Sequence, residues 1–378
     1  MSVYLDNAAT TKPCVEAVAA AVDAMTVNYG NPSSLHRTGL NAQLVVDKSR
    51  KIIASSLGCE EKCIYFTSGA TESNNLALRG TVAAYGKRRK KIITSAAEHS
   101  SVLATVNDLE KNGFEVVRIH PRNDGKFHAE DFIDAVDENT CIISMMLVNN
   151  ETGAILPVAE VFNAVKRRYP DTVTHCDCVQ GYMKIQVKAN RLNADLISIS
   201  GHKVNAVKGI GALYIKKGVR VLPVITGGGQ EKGIRSGTEN VPAIASFGAA
   251  VEKLAPTIVE RYDRAAELKK LLLSEISDID GVEVNSPSDG SPYITNISAI
   301  GRRSEIMLHY LEHQEIYVSS GSACSKGAKS GVLHEFGISD KNSDSAIRIS
   351  FSCDTTEEDI TEFVRNLRNG IKEIRVQK

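Results

Sequence analysis

Short β-rich runs at 63–67, 91–94, 115–119, 141–148, 172–176, 196–200 and 212–215 alternate with amphipathic helical stretches at 70–85, 100–112, 128–136 and 158–169. No other feature constrains the fold as much. Strands alternating with helices read as βαβ units, and a row of such units builds a mostly parallel sheet covered on both faces. Ligands of such sheets bind outside the carboxyl ends of the strands. Polar residues that directly follow a strand are therefore the ones to examine.

Beyond Thr238 the texture changes. Residues 241–273 read as one or two long helices broken near Pro256, because proline lacks the N–H that a helix interior needs. There follow expected strands at 282–284, 294–300, 316–318 and 346–351 and a helix at 303–313. A Gly-, Ser- and Lys-rich loop spans 319–331, and a final helix is expected to open with a capping box from Thr355 to Glu358. The expected division is a large α/β domain over 15–255 and a smaller α+β domain over 256–378, which also takes segment 1–14. A chain of 378 residues has ample length for two such units.

Composition narrows the function. Lys plus Arg and Asp plus Glu both number 45, so no net field is available to hold a polyanion. Trp is absent and aromatic residues make up 5%, which leaves little for stacking on bases. Nucleic acid is thus not the expected ligand. The start, MSVYLDNAATT, lacks a basic segment followed by an apolar one, and no apolar run approaches the length of a membrane span. A cytoplasmic protein with no membrane partner is expected. Eight scattered cysteines suit reduced thiols better than a disulfide framework.

Five polar clusters follow expected strands and so fall on one rim of the sheet. Ser200-Gly201-His202-Lys203 offers an amine for a Schiff base, or else a surface lysine in a loop. His175-Cys176-Asp177-Cys178-Val179-Gln180 offers an aspartate for a protonated ring nitrogen, and Gln180 for a phenolic oxygen. Asp177 also suits a helix cap, and the Cys-x-Cys pair beside His175 is a weak metal signal with no second pair at the right spacing. Thr67-Ser68-Gly69-Ala70-Thr71-Glu72-Ser73-Asn74-Asn75 spans a strand-to-helix junction, where free N–H groups and the Thr71 hydroxyl suit a phosphate or form an ordinary N-cap. Glu98-His99-Ser100 and Asn149-Asn150-Glu151-Thr152-Gly153 complete the set. A phosphate cradle, a ring stacker, an acid for a pyridine nitrogen and a lysine for an aldehyde together match the needs of pyridoxal 5′-phosphate (PLP). No metal is expected. In the second domain, Ser319-Ser320-Gly321-Ser322-Ala323-Cys324-Ser325-Lys326-Gly327 surrounds one cysteine with small residues and nearby cations, which favour thiolate.

The ordered set of motifs resembles the PLP-dependent cysteine desulfurases of the NifS/IscS branch, in the class V aminotransferase family. Tyr4-Leu5-Asp6-Asn7-Ala8-Ala9-Thr10-Thr11, Gly30-Asn31-Pro32-Ser33-Ser34-Leu35-His36 and Arg235-Ser236-Gly237-Thr238-Glu239-Asn240 add to the clusters above, and the resemblance runs through the whole chain. Cys178 stands where the family often has alanine.

The resemblance implies a fold-type I PLP transferase acting as a homodimer. It implies Lys203 as the Schiff-base lysine, and His99 stacked on the ring and moving protons. Asp177 would hold the ring nitrogen, and Gln180 would lie near the ring oxygen. Ala70, Thr71, Ser200 and His202 would surround the phosphate, joined by Thr238 of the second copy, while Asn150 and Arg348 would hold the substrate carboxylate. L-cysteine would become L-alanine, and Cys324 would carry the sulfur as a persulfide to an acceptor protein. That acceptor would serve iron–sulfur cluster assembly or the thiolation of tRNA or a cofactor. A selenocysteine lyase on the same fold, a non-catalytic sulfur-relay protein and a zinc or redox protein built on the cysteines are the rival readings.

Overall fold

The computed structural model describes residues 2–320 and 331–376. Its strands are β1 (Val3–Tyr4), β2 (Ile64–Thr67), β3 (Lys91–Ser95), β4 (Glu115–Ile119), β5 (Thr140–Met146), β6 (Val173–Asp177), β7 (Leu196–Ser200), β8 (Gly211–Ile215), β9 (Val282–Val284), β10 (Ile294–Ala299), β11 (Ile316–Tyr317) and β12 (Ala346–Ser350). Seven of them form one sheet in the order β2-β8-β7-β6-β5-β3-β4. From β7 to β4 all pairings are parallel. β8 runs antiparallel to both of its neighbours, so β2 points the same way as β7. The carboxyl ends of β2, β3, β5, β6 and β7 therefore share one rim, as the alternating pattern predicts.

Every residue of β5, β6, β7 and β8 is buried. This is the mark of a sheet with helices on both faces, and it explains why these strands read as apolar runs rather than as alternations. Gly69 and Gly211 let the helix Ala70–Tyr85 start close to the sheet. A Cβ on Gly211 would lie 2.7 Å from the Gly69 carbonyl carbon and 2.7 Å from the Ile199 oxygen, and Gly69 itself has φ 156°.

A second sheet, β12-β10-β9, is antiparallel. Its core joins Ile297, Ile347 and Ile349 to residues of the helices Ile258–Ile276 and Glu357–Glu373. Val3 and Leu5 pack into this core, and β1 pairs in parallel with β11. The amino-terminal segment thus ties the two ends of the chain together.

Several bounds differ from the sequence reading. β5 stops at Met146 rather than 148, because the Asn149 side chain closes a turn by accepting from the N–H groups of Glu151 and Thr152. β6 includes Asp177, whose backbone pairs with Met146 and Ser198. The expected capping box is displaced by one residue. Thr356 and Asp359 form it, while the Thr355 hydroxyl accepts from the Ser352 N–H at 3.0 Å. The long helical stretch breaks at a single turn, Ala255–Thr257, that holds Pro256. Two helices, Val15–Thr26 and Arg37–Leu57, lie in a region that the periodicity left unassigned. Among the described residues no helix is long and apolar enough to cross a membrane.

Candidate active site

β6 delivers Asp177 to the rim, buried and 5% exposed. Its Oδ1 accepts from the Val179 N–H at 2.9 Å and its Oδ2 from Asn74 Nδ2 at 2.8 Å. Asp177 ends β6 and is followed by a turn, not a helix, so it caps no helix; one of its oxygens closes that turn and the other accepts from Asn74. Two residues on, Gln180 donates from Nε2 to the Ala8 carbonyl at 2.9 Å and accepts from Lys184 Nζ at 2.9 Å. Lys184 is buried, and burial, with Lys203, Arg348 and Arg261 adding to it, pushes its ammonium down to about 7.

His175 is no metal ligand in this arrangement. Its Nδ1 meets Ser144 Oγ at 2.8 Å and its Nε2 meets Ser198 Oγ at 2.9 Å, which uses both ring nitrogens. Burial lowers its pKa to about 3. Cys176 and Cys178 are free thiols with their sulfurs 3.3 Å apart in the apolar core. Burial raises the Cys176 thiol well above its ordinary value, the condition of an inert cysteine.

Lys203 sits in the single helical turn Gly201–Lys203 after β7. Its Nζ donates to the carbonyls of Ala8 and Ala9 at 2.6 and 2.5 Å. Lys203 and Gln180 thus converge on Ala8, in a segment that also anchors to His202 through Thr11, whose N–H and hydroxyl both donate to the His202 carbonyl. His202 Nδ1 lies 3.3 Å from Thr10 Oγ1. Burial and the charges of Lys203, Lys208 and Lys184 lower the His202 imidazole to about 4.

The junction from β2 to the helix Ala70–Tyr85 forms an anion cradle at the same rim. Ala70 and Thr71 open the helix, so their N–H groups have no partner one turn back. Ser200 Oγ, at the end of β7, is buried and has no hydrogen-bond partner among the described residues. A buried hydroxyl is seldom left without a partner. A phosphate oxygen would satisfy it, and the cradle fits that group. Arg235 flanks this edge by an ion pair to Glu72 at 2.9 Å. Thr238 is exposed on the following loop and makes no described hydrogen bond to the rim.

After β3 the chain places Glu98 and His99. Glu98 is wholly buried, and its Oε1 accepts from Ser95 Oγ at 2.6 Å and from the Met146 N–H at 2.7 Å. Burial, with Asp177 nearby, raises this carboxyl to about 8. His99 Nδ1 faces Ser101, with Oγ at 2.8 Å and the N–H at 3.2 Å. Burial lowers the His99 pKa, Asp177 opposes this and Lys203 adds to it.

β12 brings in Arg348, which is 3% exposed. Its guanidinium donates to the Asn150 carbonyl and to Asp6 Oδ1, both at 2.9 Å, and its Nε has no partner among the described residues. A buried guanidinium with unspent donors suits a carboxylate. The structure therefore brings together Lys203 with Gln180, His99 with Asp177 through Ser101 and Asn74, and Asn150 with Arg348. Cys324 lies outside the described residues. Glu98 and Asn74 stand inside the clusters read from the sequence but without a role of their own, and Lys184, Ser101 and the Ala8 and Ala9 carbonyls carry no sequence signal. Backbone acceptors leave no mark in a sequence, and the Asn74 signal lay unread inside the quoted helix-start motif.

A mostly parallel sheet with a lysine, an acid and an anion cradle on one rim is the architecture of a fold-type I transferase. The aminotransferase class-V family matches residues 3–363. A NifS/IcsS protein homolog of Lactobacillus delbrueckii subsp. bulgaricus is 40% identical over 369 residues, covering 96% of this chain and 95% of that protein. The cysteine desulfurase IscS of Methanosarcina thermophila is 37% identical, covering 97% of this chain and 93% of the relative. A solved NifS-like protein superposes with a TM-score of 0.93 at 35% identity, over 98% of this chain and 100% of the other. The chain belongs to the aminotransferase class-V family, in its NifS/IscS-like branch.

Proposed function

We propose that this chain is a cysteine desulfurase that uses pyridoxal 5′-phosphate. The observation that carries the reading is the single rim on which an amine (Lys203), a buried acid (Asp177), a half-buried imidazole (His99) and an unpartnered buried hydroxyl (Ser200) converge. When bound, the cofactor supplies an electron sink for the substrate's α-carbon. Lys203 would hold its aldehyde, Asp177 its ring nitrogen, and Ala70, Thr71, Ser200 and His202 its phosphate, with Gln180 at the ring oxygen. The amine of Lys203 now spends its hydrogen bonds on Ala8 and Ala9, so holding the aldehyde requires it to leave them.

Arg348 and Asn150 bind the carboxylate of L-cysteine and fix the α-carbon in place. Lys203 or His99 takes the α-proton. The Cys324 thiolate then attacks the substrate sulfur: a sulfur–sulfur bond forms, the carbon–sulfur bond breaks, and the carbon keeps the electron pair. The β-carbon gains one proton and becomes the methyl group, the α-carbon regains the proton it lost, giving L-alanine, and Cys324 holds a persulfide. An acceptor thiol removes the outer sulfur.

The reading includes a homodimer in a reducing cytoplasm. Val15, Val18, Val22 and Met25 line one exposed side of the helix Val15–Thr26 while Ala17, Ala21 and Ala24 are buried on the other, and Tyr29, Leu35, Leu40 and Leu44 are exposed as well. An apolar face of this extent supports a second copy as its cover. On this reading 256–378, with segment 1–14, is the smaller domain and includes Cys324, supported by the separate core into which Val3 and Leu5 pack.

Purified protein is expected to be yellow and to release sulfide and alanine from L-cysteine in the presence of a thiol. Lys203→Ala is expected to lose the Schiff-base absorption and the activity together. Sulfide release unchanged in Lys203→Ala would overturn the assignment.

A further inference from the structure

A directed chain of hydrogen bonds runs from Asp177 to His99. The Asn74 amide lies 2.8 Å from Asp177 Oδ2 and 2.8 Å from Ser101 Oγ. A carboxylate oxygen only accepts, so the Asn74 atom that faces it is the amino nitrogen. One of its two protons goes to Asp177, and the other goes to Ser101 Oγ. The Ser101 hydroxyl therefore accepts from Asn74 and points its own proton at His99 Nδ1, 2.8 Å away. The Ser101 backbone N–H donates to the same nitrogen at 3.2 Å. With two donors aimed at it, Nδ1 has no room for a proton.

We infer that Asn74 and Ser101 are positioning residues that hold His99 as the neutral tautomer with its proton on Nε2, so that this nitrogen meets the ligand site as a hydrogen-bond donor and not as a base. A ring in this state has no lone pair at Nε2 to receive a proton. Protonation at Nδ1 would break both bonds from Ser101 and force its hydroxyl to turn around. Asn74 and Ser101 are themselves buried, which holds the chain of bonds in one direction. The charged groups facing the ring are Asp177 from the end of β6 and Lys203 from the turn after β7, and Glu98 lies beside it on its own turn. The charge of Asp177 favours the protonated ring, while the two Ser101 donors, one of them oriented by Asn74, block Nδ1. The tautomer follows from this geometry alone; the use of the Nε2 proton in the reaction rests on the desulfurase reading.

The test is a nitrogen-detected NMR titration of the holoenzyme labelled with 15N-histidine, with His99 assigned by comparison with His99→Gln. The unsubstituted protein is expected to show a bare Nδ1 and a protonated Nε2 across the neutral range. Ser101→Ala removes one donor to Nδ1 and leaves the backbone N–H. It is expected to raise the His99 midpoint by about one unit and to populate the Nδ1-protonated tautomer. A proton on Nδ1 in the unsubstituted protein overturns the proposal without any variant. So does a Ser101→Ala protein whose midpoint and tautomer are unchanged. Sulfide release from L-cysteine, measured on the same samples, tests the desulfurase reading separately, because its absence would leave the tautomer as found.

Discussion

Glu98 is predicted to make the stability of this protein fall as pH rises. The carboxyl is wholly enclosed, its Oε1 is used by Ser95 and Met146, and its Oε2 has no partner among the described residues. It is therefore held as the neutral acid, with a pKa of about 8 against 4.5 for the unshifted group. A raised acid binds more protons folded than unfolded between those two values. Its full contribution is present below 4.5 and is lost as pH climbs toward 8. At pH 5.5 about one unit of the difference has been lost, and at pH 8.5 nearly all of it has. At 1.36 kcal/mol per unit the interval is worth about 3 kcal/mol.

Glu98→Gln keeps an acceptor for Ser95 and Met146 but cannot titrate. Urea unfolding of both proteins at the two pH values isolates the effect, because all other groups cancel in the difference. The unsubstituted protein is expected to lose about 3 kcal/mol relative to Glu98→Gln between pH 5.5 and pH 8.5. A pH-independent difference would refute the claim that this carboxyl is buried and neutral. It would then place a second negative charge beside Asp177.

Arg348→Gln is expected to raise the KM for L-cysteine on the order of 100-fold with a smaller change in kcat, since losing one partner of a buried charge pair costs about 2–5 kcal/mol; steady-state kinetics read the split. Val18→Glu with Val22→Glu is expected to shift the protein from dimer to monomer in sedimentation velocity, because both side chains lie on the exposed apolar side of their helix.

The rim was legible from the sequence because its parts are local. Each polar cluster directly follows a strand whose apolar run announces it, so Asp177, Ser200, Lys203 and His99 were found without knowing the pairing order. What stayed hidden was built at a distance. The Ala8 and Ala9 carbonyls reach Lys203 from nearly two hundred residues away and belong to backbone atoms that every residue has. Asn74 lies within a helix and is aimed inward, a direction that only the packed helix settles. The helix Val15–Thr26 escaped notice because it is apolar on both sides, alanine inward and valine outward, which erases the period. The capping box slipped by one residue because Thr355 and Thr356 both stand three residues before an acid, and only the side-chain directions separate them.

The central claim is that sulfur passes from L-cysteine to Cys324. Mass spectrometry of the peptide carrying Cys324, after a single turnover with L-cysteine and no added thiol, reads this directly. One added sulfur atom on that peptide, with one alanine released per sulfur and neither product formed by Cys324→Ser, is the predicted result. Alanine and sulfide released at an undiminished rate by Cys324→Ser, with Cys324 unmodified in the parent, would contradict it.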